Sequence, residues 1–306
     1  MRNAFADEIL KLAIADERIV LLMGDIGNRL FDKFRGAYPQ RFYNCGVAEG
    51  NMVSMAAGLA SCGLRPVCYT IAPFITYRVM EQIRLDLCYH RQPVIVVGTG
   101  AGLSYASLGA THHSLEDLGM LRLLPNLKVT CPGDSMELRG ILRAAFQQDD
   151  PVYMRIGKKG EPVVHGDVPL LHLGRAWALR EQGRIALLSA GNMLPTTLQV
   201  ADSLTEQGRE ARVYSFHTVK PLDETLLSDL CGVCDLLVSI EEHSMLGGLG
   251  SAVAEWLART RATNAPRLLC CGTPDEFMHE AGEQEHARHL FGLDAAGITK
   301  RILADL

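Results

Sequence analysis

Glu49 is the residue whose position most invites a chemical interpretation. It follows Gly46-Val47-Ala48 and precedes a stretch of small residues, 51–60, that favours a helix. A carboxylate at a helix start is stabilised in its ionised form by the backbone dipole, whereas burial raises its pKa and allows it to share a proton. Glu49 is therefore a candidate for proton chemistry, and an ordinary helix-capping acid is the alternative.

The elements that must position Glu49 follow an alternating rhythm. Apolar runs bounded by Gly or Pro alternate with helical patterns, which predicts parallel sheets with crossover helices, an α/β fold. The runs that we expect to form strands are 19–23, 67–70, 93–98, 128–131, 152–155, 185–189, 212–215 and 236–240. A polar stretch from 156 to about 174, interrupted by Gly and Pro, predicts a linker between two such units.

Length and composition exclude several classes of protein. The chain has 306 residues, a net charge of -5 and no run rich in Lys or Arg, so we expect no nucleic-acid partner. No apolar run approaches the roughly 20 residues of a membrane span, and acids occupy the N-terminal stretch, so we expect a cytoplasmic protein. The nine cysteines lie in apolar segments without a regular framework, which favours reduced thiols.

Two further motifs carry groups that could do chemistry. Phe74 and Tyr77 lie about one helical turn apart, a spacing that in isolation is more often core packing. Gly109-Ala110-Thr111-His112-His113 follows a Gly-rich stretch, and an imidazole there could stabilise an alkoxide or move a proton. Adjacent loop histidines point in different directions, so we expect no metal site at this pair.

The order of these motifs resembles the C-terminal half of transketolase. That half consists of a pyrimidine-binding domain followed by a C-terminal domain, both shared with deoxyxylulose phosphate synthase and 2-oxo-acid dehydrogenase β subunits. The resemblance covers essentially the whole chain. It implies two doubly wound α/β domains, a thiamine-diphosphate pyrimidine-binding domain at 1–168 and a smaller transketolase C-terminal domain at 169–306.

The resemblance also implies roles for individual residues. Glu49 takes the position of the acid that contacts N1′ of the aminopyrimidine, and Tyr77 that of the aromatic ring stacked on it, with Phe74 as the earlier aromatic of the pair. His112 takes the position that contacts the donor sugar, and His113 replaces the usual glutamine beside it.

Arg2 and Arg155 fall where transketolases have phosphate-binding arginines, a role that suits a planar guanidinium, although each could be an ordinary arginine. Asp25 matches an acid near the cofactor. Two positions depart from the family pattern: Leu108 stands where transketolases have an aspartate, and Gly100 where they have a histidine. Both changes predict a less polar acceptor pocket.

The motif that binds the diphosphate and Mg²⁺ of thiamine diphosphate is missing from the sequence. It reads Gly-Asp-Gly with a later Asn, and Gly24-Asp25-Ile26-Gly27-Asn28 imitates only its start. The resemblance implies that a companion chain carries this domain and holds the diphosphate and metal. We expect a split enzyme with an α2β2 heterotetramer and an active site between the chains.

The function implied by the resemblance is that of a transferase subunit that is active only with its partner. It would move a two-carbon ketol unit from a ketose or ketose phosphate to an aldehyde acceptor. The alternatives are a 2-oxo-acid dehydrogenase β subunit or decarboxylating carboligase subunit, and a noncatalytic regulatory subunit. The donor, the acceptor and the pathway stay open.

Three other patterns favour structural roles. Cys231 and Cys234 have redox or zinc spacing without a second Cys pair, which indicates structural thiols. Glu241-Glu242-His243, followed by Gly247-Gly248-Leu249-Gly250, belongs by resemblance to the C-terminal domain, which contributes little to chemistry. His279, His286 and His289 are expected on the solvated face of a polar helix.

Overall fold

Two sheets of mostly parallel strands organise the chain. The computed structural model describes residues 1–27, 29–158, 160–261 and 263–306, so Asn28 of the motif-like start lies outside the described residues. The strands are β1 Ile19–Met23, β2 Phe42–Asn44, β3 Arg65–Ile71, β4 Ile95–Thr99, β5 Lys128–Thr130, β6 Val152–Ile156, β7 Trp177–Arg180, β8 Ile185–Ala190, β9 Ala211–Ser215, β10 Thr218–Lys220, β11 Leu236–Ser244 and β12 Arg267–Thr273.

Helices connect the strands and cover both faces of the sheets. They are α1 Arg2–Ala15, α2 Asp32–Ala37, α3 Glu49–Ser61, α4 Ala72–Thr76, α5 Met80–Gln82, α6 Asp117–Arg122, α7 Ser135–Ala145, α8 Leu194–Glu206, α9 Glu224–Leu230, α10 Leu249–Thr260, α11 Gln284–Leu290 and α12 Ala295–Asp305. A π-helical segment, Ile83–Tyr89, continues α5. None of the helices in the described ranges is both long and apolar enough to span a bilayer.

The strand order confirms the predicted α/β class. The first sheet runs β10-β5-β6-β4-β3-β1-β2, and the second runs β12-β11-β8-β9-β7. Only the pairs β10 with β5 and β7 with β9 are antiparallel among the described strand pairs. Strand β10 comes from the second half of the chain but joins the first sheet, so the two units share one sheet edge.

Apolar side chains fill the space on both faces of the first sheet. On one face Phe5 of α1 packs with Leu138 of α7, both fully buried. On the other face Met52 of α3 and Leu118 of α6 belong to a core that continues into the second unit, as far as Trp256 of α10. This shared core predicts that the two units hold a fixed orientation, because apolar area removed from water stabilises their contact.

The candidate residues converge at one edge of the first sheet. Strands β4, β3, β1 and β2 are neighbours in that order, and their carboxyl ends lie together. Asp25 follows β1, Glu49 follows β2, Phe74 follows β3, and the segment 100–116 follows β4. The carboxyl edge of an open α/β sheet is where such folds bind ligands.

Candidate active site

Glu49 lies at the first position of α3, as the sequence predicts. Glu49 is 5% exposed to solvent. Its Oε2 atom lies 3.6 Å from Nη1 of Arg78, whose side chain is 51% exposed. No other partner of this carboxylate is found among the described residues, so it is buried without being saturated by hydrogen bonds, and a long ion pair with an exposed arginine stabilises the fold little.

Arg78 also contacts the ring of Phe74. Its guanidinium carbon lies 4.1 Å from the ring centroid, a cation–π geometry. Arg78 therefore touches both the aromatic ring and the carboxylate. The sequence analysis missed this residue, although its position four residues after Phe74 on a helical segment is the spacing that brings two side chains onto one face.

The loop that follows β4, residues 100–116, brings His112 to the same ring and is called the His112 loop. The imidazole of His112 lies edge-on to Phe74 with centroids 5.2 Å apart, and edge-on to Tyr105 at 5.9 Å. The hydroxyl of Thr111 lies 2.9 Å from Nδ1 of His112. Where that hydroxyl donates, Nδ1 is the acceptor and Nε2 carries the proton.

The surroundings of His112 favour its neutral form. Partial burial lowers the pKa of His112, and the neighbouring His113 and Arg78 lower it further. The ordinary pKa of histidine is about 6.5, so this imidazole is neutral near pH 7. A neutral imidazole has one donor and one acceptor, which suits contacts with sugar hydroxyl and carbonyl oxygens.

Asp25 supports the turn that leads to Glu49. Its Oδ1 atom accepts a hydrogen bond of 2.8 Å from the amide of Asn44, and Oδ1 of Asn44 accepts one of 3.0 Å from the N–H of Gly46. Gly46 has φ of +68°, a conformation that favours glycine. Asp25 is thus joined to the Glu49 motif through Asn44.

Tyr77 and His113 face a different space from Phe74. The Tyr77 hydroxyl donates to Oε2 of Glu116 at 2.5 Å, and the buried His113 has its Nε2 3.3 Å from the carbonyl oxygen of Ala106. Both line a cavity of about 340 Å³ together with Glu116. Of the two aromatics, Phe74 is the one whose ring lies against Arg78, the partner of Glu49, and the stacking role of Tyr77 stays a prediction.

Arg2 is connected to the His112 loop through Lys158, a second residue that was not predicted from the sequence. Its Nε atom donates to the carbonyl oxygen of Lys158 at 2.7 Å, and the Lys158 ammonium lies 4.6 Å from the centroid of Tyr105. Tyr105 also explains the departure at Gly100: a Cβ at residue 100, where φ is +87°, would lie 2.1 Å from the Tyr105 ring. The tyrosine ring occupies the space that a side chain at 100 would need.

Arg155, a candidate for phosphate binding, is buried against the second sheet. It is 4% exposed, its Nη1 lies 3.3 Å from Oδ1 of Asp117, and its Nη2 donates to the carbonyl oxygen of Glu242. These contacts use two of the five N–H donors of the guanidinium, and the phosphate-binding role of Arg155 stays a prediction. Among the described residues that follow β6, Lys158 reaches the His112 loop at the ring of Tyr105.

The cysteine pair and the C-terminal histidines, for which the sequence favours structural roles, lie outside the candidate site. Cys231 and Cys234 are unpaired, and burial raises the pKa of both thiols. His286 and His289 lie on α11 and are exposed, as expected. His279 precedes that helix, so the prediction that all three histidines share one helix was wrong for His279. Among the described residues, no group of three or more His, Cys, Asp or Glu side chains could hold a metal ion.

The fold and this geometry define a class of protein. Two α/β units, with a buried acid, an aromatic ring and a histidine loop at the carboxyl edge of the first sheet, form an enzyme built on a pyrimidine-binding domain. The chain belongs to the transketolase family: residues 1–161 match the transketolase pyrimidine-binding domain, and residues 174–298 match the transketolase C-terminal domain.

Its relatives include both split and one-chain proteins. The chain is 33% identical to one of the subunits of the apulose-4-phosphate transketolase of Phocaeicola vulgatus, over 99% of this chain and 96% of that protein. It is 37% identical to the 1-deoxy-D-xylulose-5-phosphate synthase of Thermomicrobium roseum, of which it spans about half, 48%. A split gene transketolase solved as an inactive β4 tetramer superimposes with a TM-score of 0.89 at 32% identity, covering 99% of this chain and 96% of that one.

Proposed function

We propose that this chain is the pyrimidine-domain subunit of a two-chain, thiamine-diphosphate-dependent transketolase. The enzyme transfers a two-carbon ketol unit from a ketose to an aldehyde. The observation that carries the proposal is the contact set around Phe74, where the buried Glu49 carboxylate, through Arg78, and the His112 imidazole meet one aromatic ring. This set occurs in a chain of the transketolase family that has the length of the split subunits.

The residues at this edge fit the aminopyrimidine of the cofactor. The Arg78 guanidinium, a planar group with N–H donors, already lies against Phe74 and near Glu49, so a planar donor group can contact the ring and the acid together. Ketol transfer needs an electron sink for the broken carbon–carbon bond, which thiamine diphosphate supplies when bound. Glu49 would hold the proton shared with N1′, and Phe74 would flank the ring.

Other residues of the chain would handle the sugar and support the site. His112, neutral near pH 7, would donate from Nε2 to a sugar oxygen and accept a proton as charge develops. Asp25 would keep the turn before Glu49 in place through Asn44. His113 and Tyr77 would shape the back of the His112 loop, since both line the cavity behind it.

The cations beside the His112 loop favour a substrate that carries an anionic group. Arg2 and Lys158 are half-buried; Arg2 donates to the backbone oxygen of Lys158, and the Lys158 ammonium lies against the Tyr105 ring next to His112. Cations held near a ring can bind phosphate, Arg2 through its fork and Lys158 as a point charge. One split relative acts on apulose 4-phosphate by its name. We therefore propose a sugar phosphate as one substrate, with the exposed Leu108 making the acceptor side less polar.

The assembly proposed is an α2β2 heterotetramer in the cytoplasm. A companion chain would hold the diphosphate and Mg²⁺, and the cofactor would bind between the two chains. The split gene transketolase described as an inactive β4 tetramer supports the need for a partner. The domain boundary between residues 168 and 169 is part of the proposal and agrees with the linker that separates the two sheets.

The test compares the chain alone with the chain mixed with its companion. Isothermal titration calorimetry should detect no thiamine diphosphate binding by the chain alone and clear binding by the mixture. The mixture should then transfer a ketol unit from a ketose phosphate to an aldehyde. Tight cofactor binding by the chain alone would overturn the split-site proposal.

The same mixture separates the rival functions. Consumption of pyruvate with release of carbon dioxide, without ketol transfer, would identify a decarboxylating carboligase or a 2-oxo-acid dehydrogenase subunit instead. A mixture that binds the cofactor and turns over none of these substrates would favour the noncatalytic subunit.

A further inference from the structure

The His112 loop is closed at its base by the backbone. The N–H of Ser114 donates to the carbonyl oxygen of Gly102 at 2.9 Å, and the two residues form an isolated antiparallel bridge. The residues between them, 103–113, carry Tyr105, His112 and His113. The position of the His112 imidazole therefore depends on what holds residues 102 and 103 at the start of this closed segment.

A carboxylate from the second sheet holds the start of the loop. Glu242 of β11 is 1% exposed, and its Oε1 accepts a hydrogen bond of 2.7 Å from the N–H of Leu103. The same carboxylate accepts from Asn192, Gln284 and Arg288. A Cβ at Gly102 would lie 2.5 Å from Oε1 of Glu242, so the contact is as close as the backbone allows.

The next residue of β11 bonds to α6, the helix that follows the loop. The N–H of Gly119, in the first turns of α6, donates to Nε2 of His243 at 3.1 Å, and Nδ1 of His243 lies 2.8 Å from the carbonyl oxygen of Ser244. These two contacts place the proton on Nδ1 and leave Nε2 as the acceptor. Two adjacent residues of one strand in the second sheet are thus bonded to Leu103, near the start of the His112 loop, and to Gly119, just after its end.

Arg155 adds a further connection between α6 and β11. Its guanidinium pairs with Asp117, which begins α6, and donates to the backbone oxygen of Glu242. A small apolar cluster adds packing on the outer side, where Leu103 and Leu115 of the loop lie with Ala287 of α11. Buried polar networks whose members are bonded fix geometry, whereas apolar packing alone permits sliding.

We propose that Glu242 is a positioning residue that holds the His112 loop so that the imidazole of His112 reaches the sugar. The inference rests on the proposed function and extends it to the second domain. Among the described residues, the Glu242 carboxylate bonds to neither Glu49 nor His112, and its effect passes through the Leu103 N–H. Loss of this bond lets the loop shift, and a misplacement of about 1 Å can cost about 100-fold in rate.

The test uses the assembled two-chain enzyme and separates two steps. Exchange of the C2 proton of thiamine, followed by NMR, reports on Glu49, whereas kcat/KM for ketol transfer also reports on His112. Glu242→Ala should lower kcat/KM about 100-fold while leaving C2 exchange within about twofold. Glu242→Gln keeps one oxygen for Leu103 and should recover part of the loss, to within about tenfold of wild type.

The matched control is Glu285→Gln. Glu285 pairs with the same arginine, Arg288, at 3.0 Å, but from an exposed position and without contact to the loop. Its kcat/KM should equal that of the wild type. Equal losses of C2 exchange and of kcat/KM in Glu242→Ala would mean general structural damage and overturn the proposal, as would wild-type values for both.

A measurement on the wild-type enzyme guards against variants that fail to fold. The Leu103 amide should exchange with deuterium as slowly as core amides of β4, because its acceptor is buried. Exchange of Leu103 at the rate of exposed loop amides would refute the positioning role. A wild-type mixture without C2 exchange would contradict the proposed function, and the Leu103 protection would still decide on Glu242.

Discussion

The carboxyl edge of the first sheet and the junction between the two sheets each contain a buried glutamate, and the two glutamates differ in how many donors surround them. At the edge, Glu49 has one ion pair of 3.6 Å with an exposed arginine. At the junction, the Glu242 carboxylate accepts from Leu103, Asn192, Gln284 and Arg288. Both acids are buried, but within the described part of the chain only the Glu242 carboxylate is saturated with donors.

The number of donors around each acid separates an acid suited to proton exchange from an acid suited to positioning. An acid that must exchange a proton with a ligand cannot be surrounded by permanent donors, since these would compete with the ligand and hold the acid in its ionised form. An acid that only fixes a loop gains from every added donor. Unsaturated burial therefore marks the chemical site, and saturated burial marks the support.

The largest effect should come from removing the proton acceptor at the edge. Glu49→Gln keeps the shape of the side chain but cannot share the proton, so the assembled enzyme should lose at least about 1,000-fold in kcat. Its melting temperature should stay close to that of the wild type because the Arg78 pair contributes little. The measurements are steady-state ketol transfer and thermal unfolding of the same preparations.

Retention of the wild-type rate by Glu49→Gln would remove the basis of the comparison. Assembly with the companion chain must be checked by gel filtration, since a variant that does not assemble would also lose its activity. Arg78→Gln is the informative neighbour: it removes the contact with Glu49 from the exposed side and should leave the melting temperature unchanged.

The second effect should be on stability and should arise at the junction. Arg155→Met removes a buried guanidinium and leaves Asp117 uncompensated, so the free energy of unfolding should fall by about 3 to 5 kcal/mol. The exposed pair of Arg259 and Glu224 provides the control, and Arg259→Met should change the free energy of unfolding by less than about 1 kcal/mol. Urea unfolding of the purified chain measures both.

A companion variant sharpens this result. The double variant Arg155→Met with Asp117→Asn carries no unpaired buried charge and should regain part of the loss. An Arg155→Met chain as stable as the wild type would show that the junction is held by its apolar core alone.

The interior of the fold could be predicted from the sequence, and its edges could not. The eight predicted strands are the interior strands β1, β3, β4, β5, β6, β8, β9 and β11. The four that were missed, β2, β7, β10 and β12, are the edge strands of the two sheets. A strand buried on both faces needs a continuous apolar run, whereas an edge strand can be short or partly polar and leaves no such pattern.

The candidate site shows the same limit. Glu49, Phe74 and His112 carry motifs and were found, and the structure brings Phe74 and His112 together. Arg78 and Lys158 have no motif, and only the folded chain shows which ring each cation lies against. The burial of Arg155 could not be predicted either, because its partners, Asp117 and Glu242, are distant in sequence.

The smallest expected effect is a pH-dependent change in stability at the linker, where His165 contacts two acids of the first domain. Nδ1 of His165 lies 3.0 Å from Oδ2 of Asp134, and Nε2 lies 3.6 Å from Oε1 of Glu137. Burial alone would lower the pKa of His165, but the hydrogen bond with Asp134 and the charge of Glu137 outweigh it and raise the pKa. His217, whose pKa burial lowers to about 4, faces the same cluster as a neutral group.

A raised histidine pKa fixes the sign of the pH dependence. The stabilisation from protonated His165 is complete below its unfolded pKa of about 6.5 and is lost as the pH rises through the higher folded pKa. The difference in unfolding free energy between the wild type and His165→Gln should be about 1 kcal/mol at pH 6 and should shrink toward pH 9. Urea unfolding across this range measures it. A difference that grows with pH would mean that His165 is neutral in the folded chain, and the linker would then be fastened by the Asp134 carboxylate and its backbone donors alone.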